Sequence, residues 1–220
     1  MVTAALFDLD GTLVDNMRLH VEAWVEVATQ HGRPVARERF LYEWAGKKNE
    51  ELIPLMLGRE ASAEELQRIA HEKETRYRDR AAKQLTELPG ASALLARLRA
   101  RGLKLAVATA APEENRRLAL DGLNLRRFFD AVIGPEGAVR GKPAPDIFLA
   151  SAKALAVEPS ACIVFEDALN GVRAGVAAGM PVAAVTTTAE AKSLTEAGAT
   201  WVLADFRALP EPLERVLLQR

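Results

Sequence analysis

An apolar run that stops on two acids limits what this chain can fold into. Residues 2–7 are apolar but for Thr3, and lead straight into Asp8, Leu9, Asp10, Gly11 and Thr12. Val2, Ala4, Ala5, Leu6 and Phe7 show no polar alternation, so they read as a strand buried on both faces. Such a strand belongs in a sheet covered by helices. Carboxylates at its end then lie on the edge where open α/β sheets keep their ligands. Two carboxylates one residue apart repel unless a cation sits between them, and oxygen donors of this kind suit a hard divalent ion such as Mg²⁺. Gly11 lets the backbone turn sharply away. The bland alternative is a strand-to-turn junction at which Asp8 and Asp10 only solubilise, and Asp-x-Asp-Gly alone does not separate the two readings.

The periodicity beyond Val14 predicts what surrounds that strand. Met17, His20, Val21, Trp24, Ala28 and His31 recur at helical spacing, with Asp15 or Asn16 as N-cap and Gly32 and Pro34 as the stop. Helix is expected again over residues 38–44, 49–57 and 63–82, with no strand between, until Pro89-Gly90 marks a boundary. Strands are then expected at 103–108, 131–133, 163–165, 182–185 and 201–203. Helices are expected at 91–100, 112–120, 146–156, 168–178, 189–197 and 211–218. Repeated strand–helix units imply a parallel sheet covered on both faces. The expected fold is α/β: a doubly wound, Rossmann-like parallel core (residues 1–15 and 88–220) with an inserted all-helical cap domain (16–87).

Bulk properties exclude several classes. With 220 residues, 49% of them hydrophobic, the chain can bury a sizeable core. A formal net charge of -1 argues against a nucleic-acid partner. No apolar stretch is long enough to span a bilayer, and no secretory leader precedes the first strand, so no membrane association is expected. The single cysteine, Cys162, lies in an apolar run and reads as a small core residue. A cytoplasmic, reducing location and a monomer are the expectations.

In a parallel sheet every strand ends on the same edge, so the residues after each apolar run should meet. The first strand supplies Asp8 and Asp10, and the second supplies Thr109, then Ala110, Ala111 and a helix start at Pro112. A later strand supplies Glu166 and Asp167. Lys142 lies between, in the stiff loop Gly141-Lys142-Pro143-Ala144-Pro145. Oxygens for a metal, a hydroxyl and free amides at a helix start for an anion, and one point cation are the parts of metal-assisted phosphate chemistry. Each has an ordinary reading alone: a strand-end hydroxyl, a solvated lysine, helix-start acids favoured by the dipole. Four coincidences at matching strand ends are much harder to dismiss.

These residues, in this order, resemble the motifs of the haloacid dehalogenase-like hydrolase superfamily: Asp8-Leu9-Asp10-Gly11-Thr12-Leu13, Thr109, Lys142-Pro143, and Glu166-Asp167 followed by Asn170-Gly171. The likeness covers nearly the whole chain, helical cap included. Residues 142–146 and 165–171 are most similar to the branch of sugar-phosphate phosphatases and β-phosphoglucomutase. It implies that Asp8 attacks phosphorus and that Asp10 is the general acid and base. It implies Mg²⁺ on Asp8, the Asp10 carbonyl and Asp167, with Glu166 helping directly or through water. Thr109, the amides of Ala110 and Ala111, and Lys142 would hold the phosphoryl oxygens, with Asn115 bracing that loop.

The expected substrate is a small phosphorylated metabolite closed in by the cap. His20 and Trp24 share one helix face. His20 is read either as a satisfied core histidine or as a contact to Asp10 or substrate. Trp24 is read as cap core with an edge at the substrate. Gly46, Lys47, Lys48 and Asn49 resemble the family's substrate loop. Lys73 falls on a buried stripe, either snorkelling to the rim or meeting a second anionic group. Mutases of the family usually carry an arginine where Asn49 stands, and lysine is the poorer bidentate phosphate clamp. This favours a phosphatase over the alternative, a hexose phosphomutase. A catalytically idle binding or regulatory protein on the same fold is the second alternative, and it would have no need of Asp10.

Overall fold

The computed structural model describes residues 1–218. The chain opens with β1 (Ala4–Phe7). The helices α1 (Met17–Gln30), α2 (Arg37–Arg39), α3 (Asn49–Leu57) and α4 (Ala63–Ala81) then intervene before the sheet resumes. The remainder alternates: α5 (Ala91–Ala100), β2 (Lys104–Ala108), α6 (Glu113–Gly122), β3 (Ala131–Ile133), α7 (Asp146–Ala154), β4 (Cys162–Glu166), α8 (Leu169–Ala177), β5 (Val182–Val185), α9 (Ala191–Glu196), β6 (Trp201–Leu203) and α10 (Glu211–Leu218). Among the described residues no helix is long and apolar enough to cross a membrane.

The six strands form one parallel sheet in the order β3-β2-β1-β4-β5-β6. The chain winds outward through β2 to β3, then returns to the other side of β1 as β4. That reversal opens a crevice beside β1 at the carboxyl ends of the strands. Phe7 lies opposite Val107 on β2 and Phe165 on β4, so the next residues in register are Asp8, Ala108 and Glu166. Alternate residues of the central strands feed two cores. Ala5, Phe7, Leu105, Val107, Ile163 and Phe165 pack under α5, α6 and α10. Ala4, Leu6, Ala106, Cys162 and Val164 pack under α7, α8 and α9. The rings of Phe7 and Phe165 stack across β1 and β4 with centroids 4.4 Å apart. Burying one such side chain contributes about 2–3 kcal/mol, so the strand that carries Asp8 is firmly placed.

The helical segment has its own core of Val21, Trp24, Phe40, Trp44, Leu52, Ile53 and Ile69. One expectation needs correction here. Residues 38–44 do not form one α-helix: α2 ends at Arg39 and the chain widens into a π-helical turn over Phe40–Trp44. The Ala45 amide donates to the Phe40 carbonyl at 2.9 Å, five residues back. The wider turn leaves Phe40 and Trp44 buried against Trp24, with ring centroids 6.5 and 6.3 Å away. A periodicity argument assumes a fixed pitch and does not see such a turn.

Candidate active site

The parallel register delivers Asp8 and Glu166 to the same sheet edge, and Lys142 enters between them. Its ammonium donates to Asp8 Oδ1 and Glu166 Oε1, both at 2.5 Å, and to the Ala108 carbonyl at 3.3 Å. All three side chains are almost inaccessible to solvent. Burial works against the ammonium, but the two carboxylates outweigh it and hold Lys142 charged above its ordinary range. Glu166 closes β4 just ahead of α8, and its other oxygen accepts the amides of Asp167 and Ala168 at 2.8 and 3.0 Å. A Cβ on Gly171 would lie 1.8 Å from Glu166 Oε1, so that glycine makes room for the carboxylate.

Asp167 packs over the turn after β1. Thr12 donates to its Oδ1 at 2.9 Å and Thr188 donates to its Oδ2. A Cβ on Gly11 would fall 2.1 Å from Asp167 Oδ2, and Gly11 takes a φ of +83°, which L side chains rarely adopt. Burial, then the charges of Glu166 and Asp8, push the Asp167 carboxyl well above its usual range. Burial likewise pushes Asp8 up to about 7, opposed by Lys142 and assisted by Glu166.

Three buried carboxylates are thus gathered here, and the one ammonium bonds two of them. Among the described residues no three His, Cys, Asp or Glu side chains stand around a single point as a ready cage. Lys142 draws Asp8 and Glu166, while the two threonines draw Asp167. The chemistry of the set still fits a hard divalent cation. These are oxygen donors at close quarters, carrying more negative charge than the one lysine balances, and burial first, then neighbouring carboxylate charge, raises the proton affinities of Asp8 and Asp167.

Asp10 lies on the cap side. It accepts from Asn16 Nδ2 at 2.6 Å, and His20 Nε2 stands 3.4 Å away. Burial favours its acid form, but His20, Asn16 and Lys73 together hold it below the usual carboxylate range. His20 stacks on Tyr77 with centroids 3.8 Å apart, and its Nδ1 is 3.0 Å from the Lys73 ammonium. An ammonium can only donate, so Nδ1 accepts and the ring proton sits on Nε2, facing Asp10. Lys73 also donates to Glu74 Oε1 at 3.0 Å. It does not snorkel out: its side chain is 4% exposed.

His20, Trp24, Gly46, Lys47, Asn49 and Lys73 line the same pocket as Asp8, Asp10, Thr109, Ala110, Ala111, Glu166 and Asp167. Lys48 is the exception among the cap residues singled out. Its ammonium donates to the carbonyls of Pro135 and Ala138 at 2.7 and 2.5 Å, and so ties the cap loop to the segment leading into Lys142. Glu51 joins it by accepting the Gly141 amide at 2.9 Å. Two phosphate-loop expectations also shift. The Ala111 amide is engaged by Thr109 Oγ1 at 3.1 Å, a local turn that a hydroxyl two residues back favours. Asn115 reaches across to the cap, donating to Glu74 Oε2 at 2.6 Å.

Sequence reasoning passed over Thr188 and Glu74, and gave Asn16 a helix-capping role rather than its bond to Asp10. Thr188 follows β5, one strand end beyond those considered, and the same edge argument would have found it. Glu74 carried no signal, because a glutamate beside a lysine on a charged helix reads as solvated.

A family model described as haloacid dehalogenase-like hydrolase matches residues 2–179. Hexitol phosphatase A of Escherichia coli (strain K12) is 37% identical over 196 residues, covering 87% of this chain and 86% of that protein. Protein SUPPRESSOR OF QUENCHING 1, chloroplastic, of Arabidopsis thaliana is 36% identical over 215 residues. That match covers 93% of this chain, which spans only 20% of the plant protein's length. The solved structure of beta-phosphoglucomutase from Clostridium difficile superimposes with a TM-score of 0.83 at 28% identity, covering 98% of this chain and 96% of that one.

Proposed function

We propose that this chain, which belongs to the haloacid dehalogenase-like hydrolase family and is an enzyme of it, is a divalent-metal-dependent phosphatase. It hydrolyses a small phosphorylated metabolite, a sugar or sugar-alcohol phosphate, through an aspartyl-phosphate. The observation that carries the reading is the pairing of Asp8, held 2.5 Å from the Lys142 ammonium, with a second carboxylate, Asp10, lining the same pocket.

In this reading an Asp8 oxygen attacks phosphorus, an acyl-phosphate bond forms and the ester P–O bond breaks. The leaving oxygen takes a proton from Asp10. A phosphate dianion arriving beside Asp10 raises its proton affinity, which is what the acid role needs. Asp10 then takes a proton from the water that attacks the aspartyl-phosphate, releasing inorganic phosphate and restoring the Asp8 carboxylate. Lys142 and Thr109 hold the phosphoryl oxygens, with the free amide of Ala110 beside them. Asp8, the Asp10 main-chain carbonyl, Asp167 and Glu166 would hold Mg²⁺, which supplies charge neutralisation between nucleophile and phosphate. The cap excludes water through the contacts of Lys48, Glu51 and Asn115.

A phosphomutase must hold a phosphate at each end of a bisphosphate. Asn49 instead gives its amide to Glu74 at 2.8 Å, and this supports hydrolysis over mutation. The test is a phosphate-release screen over sugar phosphates, sugar-alcohol phosphates and nucleotides, with Mg²⁺ and with EDTA, on the wild type and Asp8→Asn. Release that needs Mg²⁺ and disappears in Asp8→Asn is the expected result. Retained turnover in that variant would remove the covalent route.

A further inference from the structure

The pocket's inner wall has a charge pattern that the hydrolytic chemistry does not require. Lys73 is the only buried lysine or arginine among the described residues that line it, and its ammonium is already committed to Glu74 and to His20 Nδ1, both at 3.0 Å. Glu74 lines the pocket at 6% exposure, although buried glutamates are rare without a reason. Its Oε1 accepts from Lys73 and from Asn49 Nδ2 at 2.8 Å, and its Oε2 accepts only from Asn115 Nδ2 at 2.6 Å. A carboxylate offers about four lone-pair directions, so one on Oε2 remains for a further donor. Arg78 holds the Asn115 amide from its other end at 3.3 Å, which fixes that geometry.

We infer that Glu74 sets the substrate class of this pocket: it receives a hydroxyl of an uncharged, polyhydroxylated leaving group and turns away one that bears a second anion. The inference rests on the phosphatase reading above and deepens it. A distal phosphate or carboxylate lodged against this wall would meet Asp10 and Glu74 together, with one ammonium already shared. Like charges brought together without solvent are strongly disfavoured. A hydroxyl loses nothing there, since it can donate to Oε2. The flank formed by Trp24, Phe40 and Trp44 gives the apolar surface on which the C–H face of a sugar chain packs. Lys47 lines the pocket at its half-exposed rim, where solvent screens it. It attracts the incoming ester without furnishing a buried partner for a second anion.

The experiment compares kcat/KM for a hexose monophosphate, the corresponding bisphosphate and phenyl phosphate, in the wild type, Glu74→Gln and Asn49→Lys. The wild type should prefer the monophosphate by about 100-fold. Glu74→Gln frees the charge of Lys73, and Asn49→Lys adds a cation beside it. Each should narrow the preference about tenfold, chiefly by raising bisphosphate turnover. Circular dichroism checks that the variants fold, and Asn49, being part-exposed, covers the case in which the buried Glu74 does not tolerate change. Equal efficiency of the wild type on mono- and bisphosphate overturns this inference alone. So does an unchanged ratio in a folded variant. No release from any of the three esters overturns the phosphatase reading and this inference with it.

Discussion

Lys142 and Asp8 lie 134 residues apart in sequence, yet the ammonium of one is 2.5 Å from the carboxylate of the other. The parallel sheet makes this contact by bringing the end of β1 against the loop that precedes α7. Because both groups are buried, the pair is an obligation as well as an attraction: either charge left alone there would be costly.

Lys142→Met is expected to leave Asp8 and Glu166 uncompensated. Urea unfolding should show a loss of about 3–5 kcal/mol. Phosphate release should fall by about 100- to 1,000-fold, as when a single buried donor to a transferring group is removed. Near-wild-type stability in the metal-free protein would contradict the buried ion pair.

Gly171→Ala tests the space reserved for Glu166. Alanine in a helix interior is ordinarily better than glycine by about 1 kcal/mol. Here the new methyl would lie 1.8 Å from Glu166 Oε1. Overpacking of about 1–3 kcal/mol should reverse the sign, lowering both Tm and turnover. Gly122→Ala, in α6 with nothing within 4 Å of its added Cβ, should be neutral or stabilising in the same assay.

Glu74 gives a pH prediction. Burial raises its proton affinity, but Lys73, His20 and Asn49 prevail and hold its carboxyl below the usual 4.5. A depressed acid stabilises the fold above its unfolded value, and that contribution is lost as pH falls through the folded one. Glu74→Gln should therefore cost about 1.5–3 kcal/mol near neutrality. The gap to wild type should close as pH drops below 4.5, measured by chemical denaturation across that range. A gap that widens on acidification would show the sign to be wrong.

Metal dependence should be visible without turnover. A ligand that binds only the folded state at about 100 times its Kd adds about 2.7 kcal/mol. Mg²⁺ should raise the Tm of the wild type, EDTA should reverse the rise, and Asp167→Asn should respond much less. Equal shifts in both proteins would remove Asp167 from the metal site.

The candidate site was legible where it follows from chain direction. Asp8, Thr109 and Asp167 each follow an apolar run, and a parallel sheet gathers such residues on one edge. The fate of the cap residues was not legible. Lys48 and Asn49 are adjacent in sequence, but Lys48 grips core carbonyls while Asn49 turns to the pocket. Lys73 read as lying on a buried stripe, but nothing in the sequence marked Glu74 as its buried partner. Spacing assigns a residue to a helix face, and only the packing of helix on helix says whether that face meets solvent, core or ligand.

The amino-acid order by itself determined the alternation of strand and helix, the parallel sheet and the set of acids along its edge. Hydrophobic periodicity and strand-end position are local properties that survive any arrangement of the cap. Tertiary structure alone decided how the charges are shared: which carboxylates Lys142 bridges, that Glu74 neutralises Lys73, and which cap lysine faces the pocket. Those outcomes depend on distances of a few ångströms between segments far apart in the chain, where burial multiplies the strength of every charge and small displacements choose its partner.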